Sequence, residues 1–378
     1  MSSVPSTLAT SFKFRASAVL QCWRLRCAAV ARRIAVALDA CGVRVSSWPP
    51  ASSGIAPARA VRTVAAVALA LSVSGCAYVA VATAPAKPSS ATRSALALQA
   101  DAVFWQTLHA GRYEDIGRAL ELKTAAYLEN PGDALTAAHA GWLHIWRLAE
   151  SGRLAQVPAT ITNDAVMARK YFEEAVRLQP GEARFQGFLG SALLAEGSIH
   201  RDEKLTRRGY YTLLDSVAAW PEFNLFTAGY SMSRLPAGSA RFKEALEMQW
   251  RTLDLCAGQA VDRLDPDFGR YMALATTSGP KRACWNSWIA PHNFEGFFLN
   301  MGDMLVKAGD VATARKIYAN ARHSPTYSEW KHRSLLEQRI AQAPDNVQSF
   351  NAVPGSQGGD AKRQMVQTTV ACMACHQQ

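Results

Sequence analysis

Apolar residues recur three and four positions apart through most of the chain between residues 101 and 350. This spacing places them on one face of an α-helix, whereas a half-buried strand would alternate at every second position. Prolines and short polar runs separate the periodic stretches, as is typical of helices that end and turn back. The pattern therefore predicts an all-α protein whose core is built from many helices.

One element, Ala-x3-aromatic-x2-Ala-x4-Pro, recurs within this region. Small and aromatic side chains at these offsets lie on one helix face, and the proline stops the helix soon afterwards. Ala168, Phe172, Ala175 and Pro180 match the element in full. Three further copies carry substitutions: Ala119, Lys123, Ala126 and Pro131; Gly209, Leu213, Ser216 and Pro221; and Ala314, Tyr318 and Ala321, with Pro325 one residue early.

These copies resemble the second helix of a tetratricopeptide repeat. Its first helix has counterparts in two places: Leu189, Gly190, Leu193 and Gly197, and then Met301, Gly302, Leu305 and Gly309. The resemblance implies that residues 101–350 form a divergent tetratricopeptide-like helical solenoid, with insertions between irregularly spaced copies. Stacked helix pairs of this kind bury one continuous core and leave a groove that can dock a partner protein.

The segment from Val61 to Cys76 reads VRTVAAVALALSVSGC, with an apolar run from Val64 to Val73. About ten residues make roughly 15 Å of helix, half a bilayer core, which is typical of a signal peptide and too short for a membrane span. Its last four residues resemble the lipobox of bacterial lipoproteins. That resemblance implies a signal peptide over residues 61–75, a lipid on Cys76, a flexible tether over residues 76–100 and attachment to the outer membrane, facing the periplasm.

Residues 1–60 are rich in Arg, Ala and Ser, and we assign them no fold. Either translation starts near Val61, or these residues are a leader of the organelle transit type. Residues 1–75 contain nine basic residues and one acid, whereas the rest of the chain contains 32 basic and 29 acidic residues. Because most of the formal charge of +11 lies in the leader, we expect no nucleic-acid partner.

The chain closes on Cys372-Met373-Ala374-Cys375-His376, the C-x-x-C-H pattern of covalent c-type haem attachment. Thiols at i and i+3 project from one face of a helix and can reach the two vinyl groups of one porphyrin, and the following imidazole can bind the iron. The motif predicts one haem c, held by Cys372 and Cys375 with His376 as proximal ligand. Two alternatives are open: a zinc site, which needs a fourth ligand, and a redox pair, which favours a βαβ context.

Residues 351–378 are predicted to be a linker followed by the haem-bearing helix. Pro354 to Gly359 form a breaker cluster, and Asp360 is a suitable N-cap for a helix from Ala361 to about Gln377. A motif on the last helix of an all-helical chain resembles the four-helix cytochrome c-prime group. The resemblance implies the proximal iron role for His376.

Any sixth iron ligand must come from upstream of the motif, because two glutamines alone follow His376. We favour His292, because it lies between a proline and a helix start and therefore in a loop. A surface loop histidine is the alternative there, and five-coordinate iron is another. Four further residues are weaker candidates, for which we predict packing roles in the interior: Met301, Met304, His139 and His144.

Two cysteines of the mature chain remain after these assignments, Cys256 and Cys284. In an oxidising periplasm we expect them to form a disulfide, with two buried thiols as the alternative. No motif of a hydrolase or nucleotide-binding enzyme is present, and we assign no catalytic residue. The sequence therefore predicts a membrane-anchored c-type haem protein for electron transfer that docks a redox partner. An interaction scaffold or haem-based sensor is the alternative, and a peroxidase-like enzyme is the third option.

Overall fold

The computed structural model describes residues 79–274, 276–285, 294–352 and 362–377. Residues 79–85 belong to a separate unit, and the body described below begins at residue 86. Throughout the described ranges the chain is helical and contains no strand, which confirms the predicted all-α class. The helices are α1 (Ala95–Ala110), α2 (Ile116–Glu129), α3 (Ala134–Ala149), α4 (Asn163–Leu178), α5 (Ala183–His200), α6 (Glu203–Ala219), α7 (Pro221–Met232), α8 (Ala240–Ala257), α9 (Arg282–Trp285), α10 (Phe294–Ala308), α11 (Val311–Asn320), α12 (Arg333–Ala341), α13 (Ala343–Asn351) and α14 (Met373–His376).

Local sequence sets many of the helix ends. The Ser94 hydroxyl accepts a hydrogen bond from the Ala97 amide at the start of α1, and the Asp133 carboxylate accepts from two amides at the start of α3. These caps satisfy amides that have no partner within the helix. At the other end of α1 and of α8, Gly111 and Gly258 take left-handed conformations that favour glycine.

Consecutive helices pack as pairs, and a glycine in the first helix recurs at the crossing. In each case a Cβ added to that glycine would overlap a side chain of the second helix. Glycine therefore lets the two helices approach closely, as the small residues of the predicted first helices require. The crossings are Gly141 with Phe172 (α3 and α4), Gly190 with Leu213 (α5 and α6), Gly229 with Gln249 (α7 and α8) and Gly302 with Tyr318 (α10 and α11).

The helix-face positions of the recurring element are buried in α2, α4, α6 and α11. Lys123, which replaces the aromatic residue in the first copy, is also fully buried. Its ammonium group bonds Asp101 of α1 and lies 3.2 Å from Nδ1 of His139 in α3, so three helices meet at this lysine. Ions buried in this way must be paired.

The helical body begins earlier than the predicted boundary at residue 101. Helix α1 starts at Ala95, and ion pairs of Lys87 and Arg93 hold the preceding stretch to the body. The Lys87 ammonium lies 2.6 Å from Glu174, and the Arg93 guanidinium lies 3.0 Å from Asp133. The end of the expected 76–100 tether is therefore part of the folded body.

A disulfide joins Cys256 at the end of α8 to Cys284 in α9, as expected from the sequence. The disulfide lies at the long connection between α8 and α10, where successive copies of the recurring element are furthest apart along the chain. None of the helices in the described ranges has the length and apolar character needed to cross a bilayer.

The predicted helix from Ala361 to Gln377 is wrong in extent. The described part of this stretch contains a short 3-10 turn, Met365–Gln367, and then α14, a single helical turn over Met373–His376. The intervening Thr368, Thr369 and Val370 are β-branched and disfavour a helix. The Thr368 hydroxyl also bonds the Met365 carbonyl.

Candidate functional site

Residues 362–377, here called the terminal segment, pack against α1 and α10. The three residues of the haem motif lie together on its last turn and are buried. Cys372 is 7% exposed, Cys375 is 3% exposed and His376 is 6% exposed. The structure therefore brings the predicted motif residues together inside the helical body.

Glu150, at the end of α3, caps the start of this turn from 222 residues away in sequence. Its Oε1 accepts hydrogen bonds from the amides of Cys372, at 2.7 Å, and Met373, at 2.8 Å. Its Oε2 accepts from the Trp146 indole at 3.0 Å and lies 2.8 Å from Nε of Arg153. Burial raises the pKa of Glu150, and Arg153 and the two amides oppose that rise. A four-residue turn is too short to be stable alone, so this cap fixes its position.

The other end of the turn is also capped by side chains of the body. The Trp330 indole donates to the Ala374 carbonyl at 3.0 Å. The His332 imidazole lies beside the backbone of Met373, and the His109 imidazole lies beside the backbone of His376. Both ends of the helical turn are therefore held by groups from distant parts of the chain.

A second buried carboxylate holds the beginning of the segment. Asp303 of α10 accepts the Met365 amide at 2.5 Å, and its other oxygen accepts from the Tyr318 hydroxyl at 2.6 Å. Arg339, with its side chain fully buried, lies 3.3 Å from the same carboxylate. Further side chains bond backbone carbonyls between these anchors: Tyr230 bonds Ala371 at 2.6 Å, Arg153 bonds Thr369 at 2.8 Å, and Arg234 bonds Val366 at 3.1 Å.

The two thiols form no disulfide and are enclosed by protein. A Cβ on Gly296 of α10 would lie 2.5 Å from Sγ of Cys375, so this glycine makes the space that the thiol occupies. Burial raises the pKa of both thiols, and the Glu150 charge adds to the rise. A thiol held in the neutral form is a weaker nucleophile than a thiolate. Across the described ranges no group of three or more His, Cys, Asp or Glu side chains is arranged to hold a metal ion.

The imidazole of His376 packs on a different wall of the site. Its ring centroid lies 4.5 Å from that of Trp142 in α3, with the two planes at 73°. Trp142 in turn contacts the rings of Phe104 and Phe188 edge-on, each at 6.5 Å. The motif is therefore lined by aromatic rings on the side of His376 and by α10 on the side of Cys375.

The weaker ligand candidates have the packing roles that the sequence predicts. His139 bonds Asp101 at 2.8 Å, and His144 bonds Asp164 at 2.6 Å. Met301 and Met304 are fully buried in the core. The favoured distal ligand, His292, and the lipidation site, Cys76, both lie outside the described residues.

Sequence reasoning did not identify the residues that hold the motif in place. They are Glu150, Asp303, Tyr230, Gly296 and Trp330, and each is far from the motif along the chain. A weak signal exists for Glu150, an acid directly after the apolar face of α3. Nothing local to the other four residues points to the motif.

The donor set of the site fits a haem c. Two thiols outside any disulfide and an imidazole stand in the required order at one helical turn, and the Trp142 ring packs on the imidazole. Gly296 provides space beside one thiol. Comparison with models of protein families, with curated proteins and with solved structures finds no match for this chain.

Proposed function

We propose that this protein is a c-type haem protein that carries electrons, with its haem bound covalently to the terminal segment. Cys372 and Cys375 would form the two thioethers, and His376 would be the proximal iron ligand. The observation that carries the proposal is the C-x-x-C-H turn, whose two thiols lie outside any disulfide, whereas the other two described cysteines are paired with each other. Haem bound there supplies an iron that changes between the ferrous and ferric states.

Burial of the motif dictates an order of assembly. Cys372 and Cys375 are almost inaccessible when the terminal segment is docked, so the thiols must receive the porphyrin before docking. The walls formed by Trp142 and Tyr230 would then close on the haem. Their apolar rings suit a macrocycle that must be shielded from water.

His292 is our proposed sixth ligand, and two of the described histidines lie beside the motif. The imidazoles of His109 and His332 lie next to the backbone of the last turn, which carries His376. Either would be an alternative sixth ligand, and five-coordinate iron is the remaining alternative.

An enclosed motif favours electron transfer over the peroxidase-like alternative. A peroxidase needs an open distal site and an acid-base residue that touches the substrate. Electron transfer needs neither, since the electron passes through the protein. The scaffold or sensor alternative is favoured instead if the terminal segment docks on the helical body as tightly without haem as with it.

We propose that the body is a tetratricopeptide-like solenoid. The four glycine crossings support this reading, because close approach at one position of each helix pair is the packing that the repeat requires. The terminal segment takes up interior surface on α1 and α10, so a redox partner would dock on the remaining surface.

We propose that lipid on Cys76 anchors the protein to the outer membrane, facing the periplasm. The disulfide between Cys256 and Cys284 supports an oxidising compartment. The same compartment is the one in which covalent haem attachment would take place.

The test is a pyridine haemochrome assay on protein produced together with cytochrome c maturation factors. The chain offers a matched pair of variants, because each removes two cysteines. We expect covalent haem in the wild type and in Cys256→Ala/Cys284→Ala, and none in Cys372→Ala/Cys375→Ala. Absence of covalent haem from the wild type would refute the proposal and leave the scaffold reading.

A spectrum of the loaded protein then separates the functional alternatives. A six-coordinate, low-spin spectrum supports electron transfer. Five-coordinate iron that binds carbon monoxide or peroxide supports the sensor or peroxidase alternatives.

A further inference from the structure

Glu150 is the most enclosed acidic group in contact with the haem motif. Its side chain is 0% exposed, yet its two oxygens meet four polar hydrogens: two amides, one indole and one guanidinium. All four partners are donors. A carboxylate can accept all four bonds only in the ionised form, because a protonated carboxyl group must itself donate one.

An ionised group in this position has a direct route to the motif. The Oε1 atom lies 2.7 Å from the amide nitrogen of Cys372, one of the two residues assigned to the thioethers. Because the interior screens charge weakly, a charge buried this close to the motif acts strongly on any change of charge there.

The nearby cations do not cancel this charge. The side chain of Arg153 is 27% exposed, and Arg234 is exposed. Water therefore screens both guanidinium groups more than it screens Glu150. The two cations therefore offset the charge of Glu150 only in part at the buried side of the turn.

We infer that Glu150 is a positioning residue that lowers the reduction potential of the haem. This inference rests on the proposed function. Its two bonds to the amides of Cys372 and Met373 fix the turn that carries His376. Its negative charge stabilises ferric iron more than ferrous iron, because the ferric form carries one more positive charge.

The test compares three variants of the full chain after a haemochrome assay has measured their haem content. Glu150→Gln removes the charge and keeps the size of the side chain. Glu150→Asp keeps the charge and shortens the reach to the amides. Glu203→Gln removes an equal charge from α6, at a side chain that is 70% exposed, and is the control.

Potentiometric titration of the loaded proteins measures the role of the charge. We expect Glu150→Gln to shift the equilibrium toward ferrous haem about tenfold, a rise of about 59 mV for one electron. Glu150→Asp should raise the midpoint by less than half as much, and Glu203→Gln should leave it unchanged. A purely structural role for Glu150 would not produce this ranking.

Thiol labelling of the haem-free chains measures the positioning role separately. Mass spectrometry of the C-terminal peptide follows labelling at Cys372 and Cys375. We expect about tenfold faster labelling in Glu150→Gln than in Glu203→Gln, with Glu150→Asp between them.

The outcomes are distinguishable. Wild-type protein without covalent haem would overturn the proposed function. Loaded protein with the same midpoint in Glu150→Gln and Glu203→Gln would overturn the inference alone. If Glu150→Gln does not fold, thiol labelling of Glu150→Asp no faster than that of Glu203→Gln would overturn the inference.

Discussion

Replacing Gly296 by alanine should displace the terminal segment from its site. The new Cβ would lie 2.5 Å from Sγ of Cys375, 2.6 Å from the Ala374 carbonyl oxygen and 2.8 Å from the Ala374 carbonyl carbon. Ordinary van der Waals contacts of a Cβ begin at 3.4 Å, so the overlap approaches 1 Å. Two of the three atoms belong to backbone that Glu150 and Trp330 hold at both ends, so they cannot rotate away.

The size of the effect follows from two opposing terms. Overpacking a well-filled interior costs about 1–3 kcal/mol. Alanine is favoured over glycine in a helix by at most about 1 kcal/mol, and less in the first turn of α10. The net loss should be about 1–2 kcal/mol in the free energy of docking, which is a fivefold to thirtyfold rise in the undocked fraction.

The assay is maleimide labelling of Cys375 in the haem-free chain, located by mass spectrometry of the C-terminal peptide, together with urea unfolding. Gly117→Ala in α2 is the matched control, because no atom lies within 4 Å of its added Cβ. We expect faster labelling and a lower urea midpoint in Gly296→Ala alone. Equal labelling and equal midpoints in the two variants would refute the docked arrangement.

Three further predictions concern the stability of the body. Removing the disulfide with Cys256→Ala/Cys284→Ala should lower the free energy of unfolding by about 3–4 kcal/mol, because the unfolded loop of that length is released; unchanged urea unfolding would contradict this. Burial lowers the pKa of His139 to about 4. As pH falls from 6.5 to 4, the unfolded chain therefore binds a proton that the folded chain does not, and stability should fall by up to about 3 kcal/mol; His139→Gln should flatten this part of the pH profile. Lys123→Met removes a buried partner of Asp101 and should lower the free energy of unfolding, measured in urea, by about 3 kcal/mol. An unchanged free energy of unfolding would mean that Arg93 alone neutralises the Asp101 carboxylate.

Much of the body could be predicted from the sequence because helix signals are local. The spacing of Ala168, Phe172 and Ala175 marks a buried face, and all three are buried in α4. The pairing of α7 with α8 was missed, since Gly229 meets Gln249 there and no aromatic residue marks the crossing. The haem motif is equally local, because its five residues are contiguous.

The conformation of the terminal segment could not be predicted in the same way. Its sequence offers a helix cap at Asp360 and apolar positions at helical spacing, which predict one continuous helix. In the structure, Asp303 and Glu150 bind backbone amides that a longer helix would have used internally. Bonds from distant residues thus replaced the bonds of a local helix.

The sequence by itself determined the class of fold, since helical periodicity is a property of short stretches, and the equally local C-x-x-C-H spacing predicts a haem-binding role for Cys372, Cys375 and His376. Tertiary structure alone decided that this motif is buried and which groups surround it. The physical reason is that buried backbone amides and carbonyls need partners, and in the terminal segment the partners come from side chains up to 223 residues away along the chain. Such pairings leave no periodic trace in the sequence, whereas the faces of the helices do.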